Sequence, residues 1–338
     1  MLKISLFFLF VFIGISAHSQ EISKIAFGSC GDQNKPQPIL AIAATMSPDL
    51  FIFLGDNIYG DSEDMSTLKS KYRQLGVKAE FKKLKETCPV IATWDDHDYG
   101  VNNGGAEYPK KVESKEVFLD FWNEPDTSER REHEGIYTSY FYGEKGKRVQ
   151  VILLDTRTFR TPLTYVVPEG EIKKQYLPDS NKSSTFLGEK QWKWLKKELK
   201  KEADIRIIAS SIQFGNEHNS MESWSNFPRE HEKMISLIKK TKANGVVFIS
   251  GDVHWAEISK QPQEDTYPLY DITSSGITQV TENVKANKFR LGNPFYEKNF
   301  GMIEIDWSLP NPKIHFRVYD VRGKEQLYHA TTLEDISF

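Results

Sequence analysis

Four short segments hold most of the side chains that could do chemistry. They are Gly28-Ser29-Cys30-Gly31-Asp32, Gly55-Asp56-Asn57-Ile58-Tyr59, Asp95-Asp96-His97-Asp98-Tyr99 and Gly251-Asp252-Val253-His254-Trp255. Each follows an apolar run: Ile25-Ala26-Phe27, Leu50 to Leu54, Val90 to Trp94 and Val246 to Ser250. A lone Gly-Asp or Asp-Asn after a strand is usually a turn, because short polar side chains bond nearby backbone groups. Four such endings on separate buried strands need another explanation. In an open α/β sheet, ligands gather just beyond the carboxyl ends of the strands. Carboxylates crowded there would repel one another and become hard to ionise unless cations neutralised them. The pattern therefore points to a site for two or more metal ions. Carboxylate and imidazole suit divalent metals, whereas thiolate and phenolate combined with carboxylate favour a hard, highly charged ion.

Other chemistries fit less well. Arg131-Glu132-His133-Glu134 has Tyr137 where a zinc-protease helix needs its second histidine. No Gly-x-Ser-x-Gly elbow precedes a helix, and Phe27 to Asp32 lacks the spacing of a dinucleotide loop. Cys30 has three readings: metal ligand, buried structural thiol, or nucleophile. A thiol-phosphatase loop would want an arginine where Pro36 stands. A Cys30–Cys88 disulfide, feasible in an oxidising compartment, would compete with ligation.

The elements that must position these residues alternate between apolar strands and amphipathic helices, the mark of an α/β fold. Helices are expected over Pro38–Met46, Thr67–Leu84, Lys115–Trp122, Leu187–Glu202 and Glu230–Lys240. The lysine run of 187–202 reads as a solvated helix face. Val149–Leu154, Ile205–Ala209 and Val246–Ile249 read as buried strands. Tyr270–Ser274, Gly301–Trp307, Lys313–Tyr319 and Leu327–Thr331 are expected as consecutive antiparallel strands closing a second sheet. Trp224, Phe227 and Trp255 read either as plain core or as the lining of a substrate pocket.

The 338 residues contain no repeat, low-complexity tract or dividing linker, so residues 20–338 are read as a single domain. With 39% hydrophobic residues the chain can bury a core, which excludes wholesale disorder. The charges, 44 Lys and Arg against 47 Asp and Glu, argue against specific nucleic-acid binding through bulk phosphate neutralisation. Two cysteines are too few for a disulfide scaffold. Residues 1–19 read as a signal peptide: Lys3, an apolar stretch from Ile4 to Ile15, and Ala17-His18-Ser19 as the cleavage region. The apolar stretch is short for a membrane span. The expectation is a periplasmic or extracellular chain starting near Gln20, with no membrane span after signal removal, acting as a monomer.

Phe27-Gly28-Ser29-Cys30, Gly55-Asp56-Asn57-Ile58-Tyr59, Trp94-Asp95-Asp96-His97-Asp98 and Gly251-Asp252-Val253-His254 together resemble the motif series of PhoD-like alkaline phosphatases, in the calcineurin-like metallophosphoesterase superfamily. Leu154-Asp155-Thr156-Arg157, Leu187-Gly188 with Gln191-Trp192, Trp224 before Phe227-Pro228, and Asn299-Phe300-Gly301 extend the match over residues 24–320. The resemblance implies a four-layer αββα sandwich of two mixed sheets with metals at the sheet ends. It implies that Asp56 bridges two metals, that Cys30, Tyr59 and His254 hold Fe(III), and that Asp96 and Asp252 hold Ca2+, a metal suited to oxygen ligands. Other divalent metals are also compatible. Asn57, Asp95 and Asn102 are implied as further calcium ligands or as supports of the ligands. Gln213 stands in the region where the superfamily places a further histidine. His97 falls at the histidine that protonates the leaving group or steadies the phosphoryl oxygens. Arg157 is the candidate phosphate clamp, since a guanidinium fork matches two phosphoryl oxygens; a structural Asp155–Arg157 pair is the alternative. The implied function is exported, metal-dependent hydrolysis of small phosphate esters by a metal-activated water. Monoesterase and diesterase or phospholipase-type activities both fit, and an inactive secreted phosphate- or metal-binding protein is the competing class. The separate N-terminal β-domain of larger relatives is not expected.

Overall fold

The computed structural model describes residues 20–338, so the stretch read as a signal peptide lies outside the described residues. Strand and helix alternate from the start: β1 (Lys24–Gly28), α1 (Pro38–Thr45), β2 (Leu50–Leu54), α2 (Met65–Gly76), α3 (Ala79–Thr87) and β3 (Val90–Thr93). Then come α4 (Asp96–Tyr99), α5 (Lys111–Phe121), α6 (Glu129–Glu132), β4 (Thr138–Tyr142) and β5 (Val149–Leu153). A small hairpin, β6 (Tyr165–Val166) with β7 (Gln175–Tyr176), precedes α7 (Gly188–Glu198), β8 (Ile205–Ala209), α8 (Pro228–Thr241) and β9 (Val246–Ser250). The chain closes with β10 (Ala256–Gln261), β11 (Leu269–Ser274), β12 (Asn299–Asp306), β13 (Lys313–Asp320) and β14 (Glu325–Thr332).

The strands form two six-stranded mixed sheets, in the orders β14-β13-β12-β1-β2-β3 and β10-β11-β9-β8-β5-β4. β1, β2 and β3 run parallel, as do β5, β8, β9 and β11. Period-two alternation explains the layering. Ile25, Phe27, Ile52 and Leu54 point toward the second sheet and share one core with its Val151, Ile207, Val247 and Ile272. The residues between them, Ala26, Phe51 and Phe53, point the other way and pack with Leu40, Leu68, Leu84 and Phe118 of the helices. On the far side of the second sheet, Trp192 and Leu195 of α7 and Met234 and Ile238 of α8 complete the core. The result is helices, sheet, sheet, helices, as the resemblance implied.

Several expected boundaries shift. The single helix over Thr67–Leu84 is two helices, because α2 ends at Gly76 and α3 restarts from the extended backbone of Lys78; glycine is a weak helix residue. The helix expected from Lys115 begins at Lys111, and the one expected over 187–202 stops at Glu198. The larger correction concerns the last quarter of the chain. β11 pairs with β9 in parallel in the second sheet, while β12, β13 and β14 join β1 and extend the first. Burial separates the two kinds of strand. β11 is buried along its whole length, as a covered parallel strand must be. β13 alternates, as fits an antiparallel strand with one face on the core. β4 and β10, unassigned from sequence, supply the two antiparallel edges of the second sheet.

One buried carboxylate ties the outer helices together. Glu230, near the start of α8, accepts from the indole of Trp192 (2.7 Å), the backbone N–H groups of Phe186 (2.9 Å) and Leu187 (3.2 Å), and the Thr185 hydroxyl (3.1 Å). Burial alone would raise this carboxyl, but these bonds hold it below its ordinary 4.5. Glu230→Ala leaves buried donors unmatched and is expected to cost about 2–4 kcal/mol of unfolding free energy, measured by denaturant titration. Because the folded-state value is depressed, the stabilisation is complete above the ordinary carboxylate range and fades as pH falls through and below it. The stability difference between wild type and variant should therefore shrink toward acid pH.

Candidate metal centre

Strained turns aim the functional groups. Cys30, Asp56, Asp252 and His254 all have left-handed backbone, with φ of 62°, 50°, 70° and 66°. For residues with a Cβ this costs about 1–2 kcal/mol each, and such strain collects at functional sites. Two glycines let the loops close on one another. A Cβ on Gly55 would lie 2.5 Å from the Asp95 Cβ, and one on Gly251 would lie 2.4 Å from the Ser29 hydroxyl.

The strand ends converge. Asp56 Oδ2 is 3.4 Å from Cys30 Sγ and 3.3 Å from the Tyr59 hydroxyl, which is itself 3.3 Å from His254 Nε2. Three sets of donor atoms each fit within 4.8 Å: Cys30, Asp56 and His254; Asp56, Asp96 and His97; Asp95, Asp96 and Asp252. Asp56 belongs to the first two sets and Asp96 to the last two, so the sets form a chain of adjoining sites. Asn102 lines the same cavity as Asp56, Asp96 and His97. The oxygens Asp56 Oδ1, Asp95 Oδ2 and Asn57 Oδ1, on the converging loops, are buried without a hydrogen-bond partner. Buried oxygens left unmatched in this way are costly unless something cationic meets them. The donor set therefore fits metal ions.

Electrostatics point the same way. Burial, then the charge of Asp96, pushes the Asp56 carboxyl well up; burial, then Asp95 and Asp96, does the same to Asp252. Burial and then Asp56 raise the Cys30 thiol, while burial and then Cys30 raise the Tyr59 phenol. Asp95 rises to about 7 through burial, in spite of Arg157. Asp96 departs from this pattern: burial would raise it, but the charges of Arg157 and His97 hold it low. Burial, then the nearby His97, lowers His254 to about 4 and leaves it neutral and able to ligate. Ionised ligands in this cluster require cations beyond what the side chains supply.

Supporting residues emerge that the sequence did not single out. The buried Asp98 carboxylate accepts from the backbone N–H of Asp95 (2.6 Å), Asp56 (3.2 Å) and Asn57 (3.3 Å), and also from the Asn57 side chain, so it locks two loops together. Its capping box with Asp95 around α4 is a pattern visible in sequence. Asp61 holds His97 Nδ1 at 2.7 Å. Ser275, at the end of β11, lies 3.1 Å from Cys30 Sγ and accepts from the His254 N–H at 2.8 Å.

Two expected roles are corrected. Arg157 presents no open fork to a substrate phosphate. It is fully buried, with Nε on Asp95 (2.6 Å) and Nη1 on both oxygens of Glu222 (2.9 and 3.0 Å). Nor is it paired through its side chain with Asp155, which accepts its backbone N–H instead. It is an internal counter-charge that fixes Asp95. Gln213 gives its amide N–H to Glu257 and Thr273 (3.0 Å each), and none of its hydrogen bonds reaches the other site residues. The cysteines are both free: Cys30 faces the site, and Cys88 bonds to the Leu84 carbonyl. With its thiol raised by burial, Cys30 is a poor free nucleophile. Trp224 and Phe227 are core, packed on Phe186, while Trp255 reaches the cavity wall and donates to Glu257.

Comparison with known proteins places the chain in a family and a fold. Alkaline phosphatase D of Bacillus subtilis (strain 168) is 27% identical over 258 residues, covering 62% of this chain and 42% of that protein, so the chain spans less than half of that relative's length. The solved structure of PhoD superposes with a TM-score of 0.69 at 20% identity, over 93% of this chain and 72% of that one. A dimetal phosphatase from Danio rerio gives 0.57 at 12% identity, over 93% of this chain and 100% of the other. At these identities the two structures establish a shared fold. The family model for PhoD-like phosphatases matches residues 26–324, from β1 to the turn after β13 and through every loop of the metal centre, and the chain belongs to that family.

Proposed function

We propose that this chain is an exported, metal-dependent hydrolase of phosphate esters, acting where the strand-end loops meet a cavity of about 320 Å3. The observation that carries the reading is the overlap of the donor sets through Asp56 and Asp96, which would seat adjoining cations in front of that cavity. Cys30, Asp56, Tyr59 and His254 would hold the harder ion, read as Fe(III). Asp56, Asp95, Asp96, Asp252 and Asn57 would hold Ca2+ through oxygen. When bound, such cations polarise the phosphoryl group and acidify an attacking water.

The chain's own residues do the rest. Asp98 and Gly55 hold the Asp56 and Asp95 loops in contact, so the ligands are arranged before substrate arrives. Asp61 occupies His97 Nδ1, which leaves Nε2 as the ring nitrogen able to give a proton to the departing alkoxide. Burial alone would lower this imidazole, but the Asp61 hydrogen bond and the charges of Asp96 and Asp56 push it up to about 10, toward the proton-carrying form. Arg157, clamped between Asp95 and Glu222, orients Asp95 and partly offsets the effect of burial on its carboxyl.

Asp56→Asn should lower both bound metal, read by elemental analysis, and hydrolysis of p-nitrophenyl phosphate or bis(p-nitrophenyl) phosphate by more than about a hundredfold. Normal turnover by that variant would refute the assignment. His97→Gln should cost about 10²-fold or more in kcat for an alkyl phosphate ester but much less for a p-nitrophenyl ester, whose leaving group needs no proton. Equal losses on both would remove the acid role. Export rests on residues 1–19, and N-terminal sequencing of protein recovered outside the cytoplasm is expected to begin near Gln20.

A further inference from the structure

The cavity before the metal centre does not end there. A second chamber of about 740 Å3 adjoins it, and the two share Asn102, Asn103, Lys173, Lys174 and Tyr176 in their linings. Three of these five come from the segment that closes the β6–β7 hairpin, where Tyr165 pairs with Tyr176. The inner cavity carries Asp56, Asp96, Asp252 and Glu222, and its other ammonium group is Lys285. The outer chamber has one carboxylate, Glu107, which accepts the Gly105 N–H at 3.0 Å, and an apolar side formed by Leu163, Tyr165 and Ile172.

Some lysines of this chain are already neutralised by acids, and others are not. Lys193, Lys233 and Lys288 each pair with a glutamate. Among the described residues, Lys173, Lys174 and Lys285 have no carboxylate partner. The Lys174 ammonium instead lies 4.1 Å from the centre of the Tyr165 ring, a cation–π contact that holds it on the hairpin. All three ammonium groups line the cavity before the metal centre, and Lys173 and Lys174 also line the second chamber, so they are placed to meet negative charge that the substrate brings.

We propose that Lys173, Lys174 and Lys285 form a distal anion subsite, and that the preferred substrates are phosphate esters bearing a second anionic group, a phosphate or carboxylate, on the part of the molecule that leaves the metal centre for the outer chamber. The inference rests on the phosphoesterase reading of the metal centre. In this arrangement one phosphoryl group lies at the metals, a short linker passes Asn102 and Tyr176, and the second anion sits among the ammonium groups. Uncharged esters lack that anchor.

Non-hydrolysable probes keep binding apart from turnover. Calorimetric titration of the metal-loaded protein with butylphosphonate and with butane-1,4-diphosphonate gives the ratio of their affinities. The diphosphonate should bind about tenfold or more tightly, the order expected of a few partly solvated charge pairs, and the advantage should shrink at high salt. In the Lys173→Gln/Lys174→Gln/Lys285→Gln variant the ratio should fall toward the statistical factor of two for a ligand with two equivalent ends. Because both ligands are read on the same protein, losses of folded or metal-loaded material cancel. A wild-type ratio near two overturns the subsite, as does a tenfold ratio that persists in the variant, which would mean the diphosphonate is simply a better metal chelator. Absence of hydrolysis of either p-nitrophenyl ester would refute the hydrolase reading separately, without altering what the binding ratio says about the chamber.

Discussion

The structure is governed by one electrostatic constraint: several carboxylates, a thiol and a phenol are withdrawn from water at a single place. Asp56, Asp95 and Asp96 are each almost fully buried, and Asp98 supports them from behind. Removing that many acids from solvent is unfavourable unless positive charge comes with them. The chain itself buries Arg157 among them and then commits it to Asp95 and Glu222. The charge that remains unbalanced faces the cavity, where cations can reach it. Protonation is the alternative, and the raised values at Asp56, Asp252 and Cys30 show that the polypeptide alone favours it. Metal binding and ionisation of the ligands are therefore one event.

Placing these groups requires a scaffold that tolerates strain. The strands β1, β2 and β9 are buried along nearly their whole length and paired on both sides, and their ends lead into the left-handed turns at Cys30, Asp56, Asp252 and His254. Side-chain carboxylates then secure the loop backbones. Asp98 takes N–H groups from two loops at once. Asp155 does the same a strand away, accepting from Ile136, Arg157 and Thr158 at 2.9 Å each. Backbone donors reduce the cost of burying such an acid, although burial still pushes Asp98 up to about 8. Such acids hold the frame, whereas acids with unmatched oxygens are left to bind.

That distinction explains what the sequence did and did not disclose. The ligand candidates were legible because each lies directly after an apolar strand, and strand ends are where an α/β sheet exposes its loops. The parallel strands themselves were legible as short apolar runs. What periodicity cannot encode is the partner. β11 and β12 both read as apolar strands, yet they belong to different sheets, and the assignment depends on which faces become covered. Arg157 shows the same limit. Its position in a Leu-Asp-Thr-Arg run suggested an open fork, but Glu222, 65 residues away in sequence, encloses it, and nothing local announces that partner. Asp98 was in plain view inside the third cluster, but an acid that accepts three backbone N–H groups looks in sequence the same as one that binds a metal.

The net charge of −3 also conceals an internal division. Ionised and without cations, the acids at the sheet ends would disfavour any anion entering the cavity, a phosphate group included. Cations at the metal centre reverse that sign locally, but only within a few ångströms, since the Debye length at physiological salt is about 8 Å. An anionic ester approaching from solvent meets the cavity rim first. Lys173 and Lys174 beside the hairpin, with Lys285, are the lysines that line this cavity, and a hairpin is an economical carrier for charge because it can change without disturbing the sheets. In this proposed reading the sheets set the chemistry by confining negative charge to one point, and the hairpin would set which anions are drawn to it.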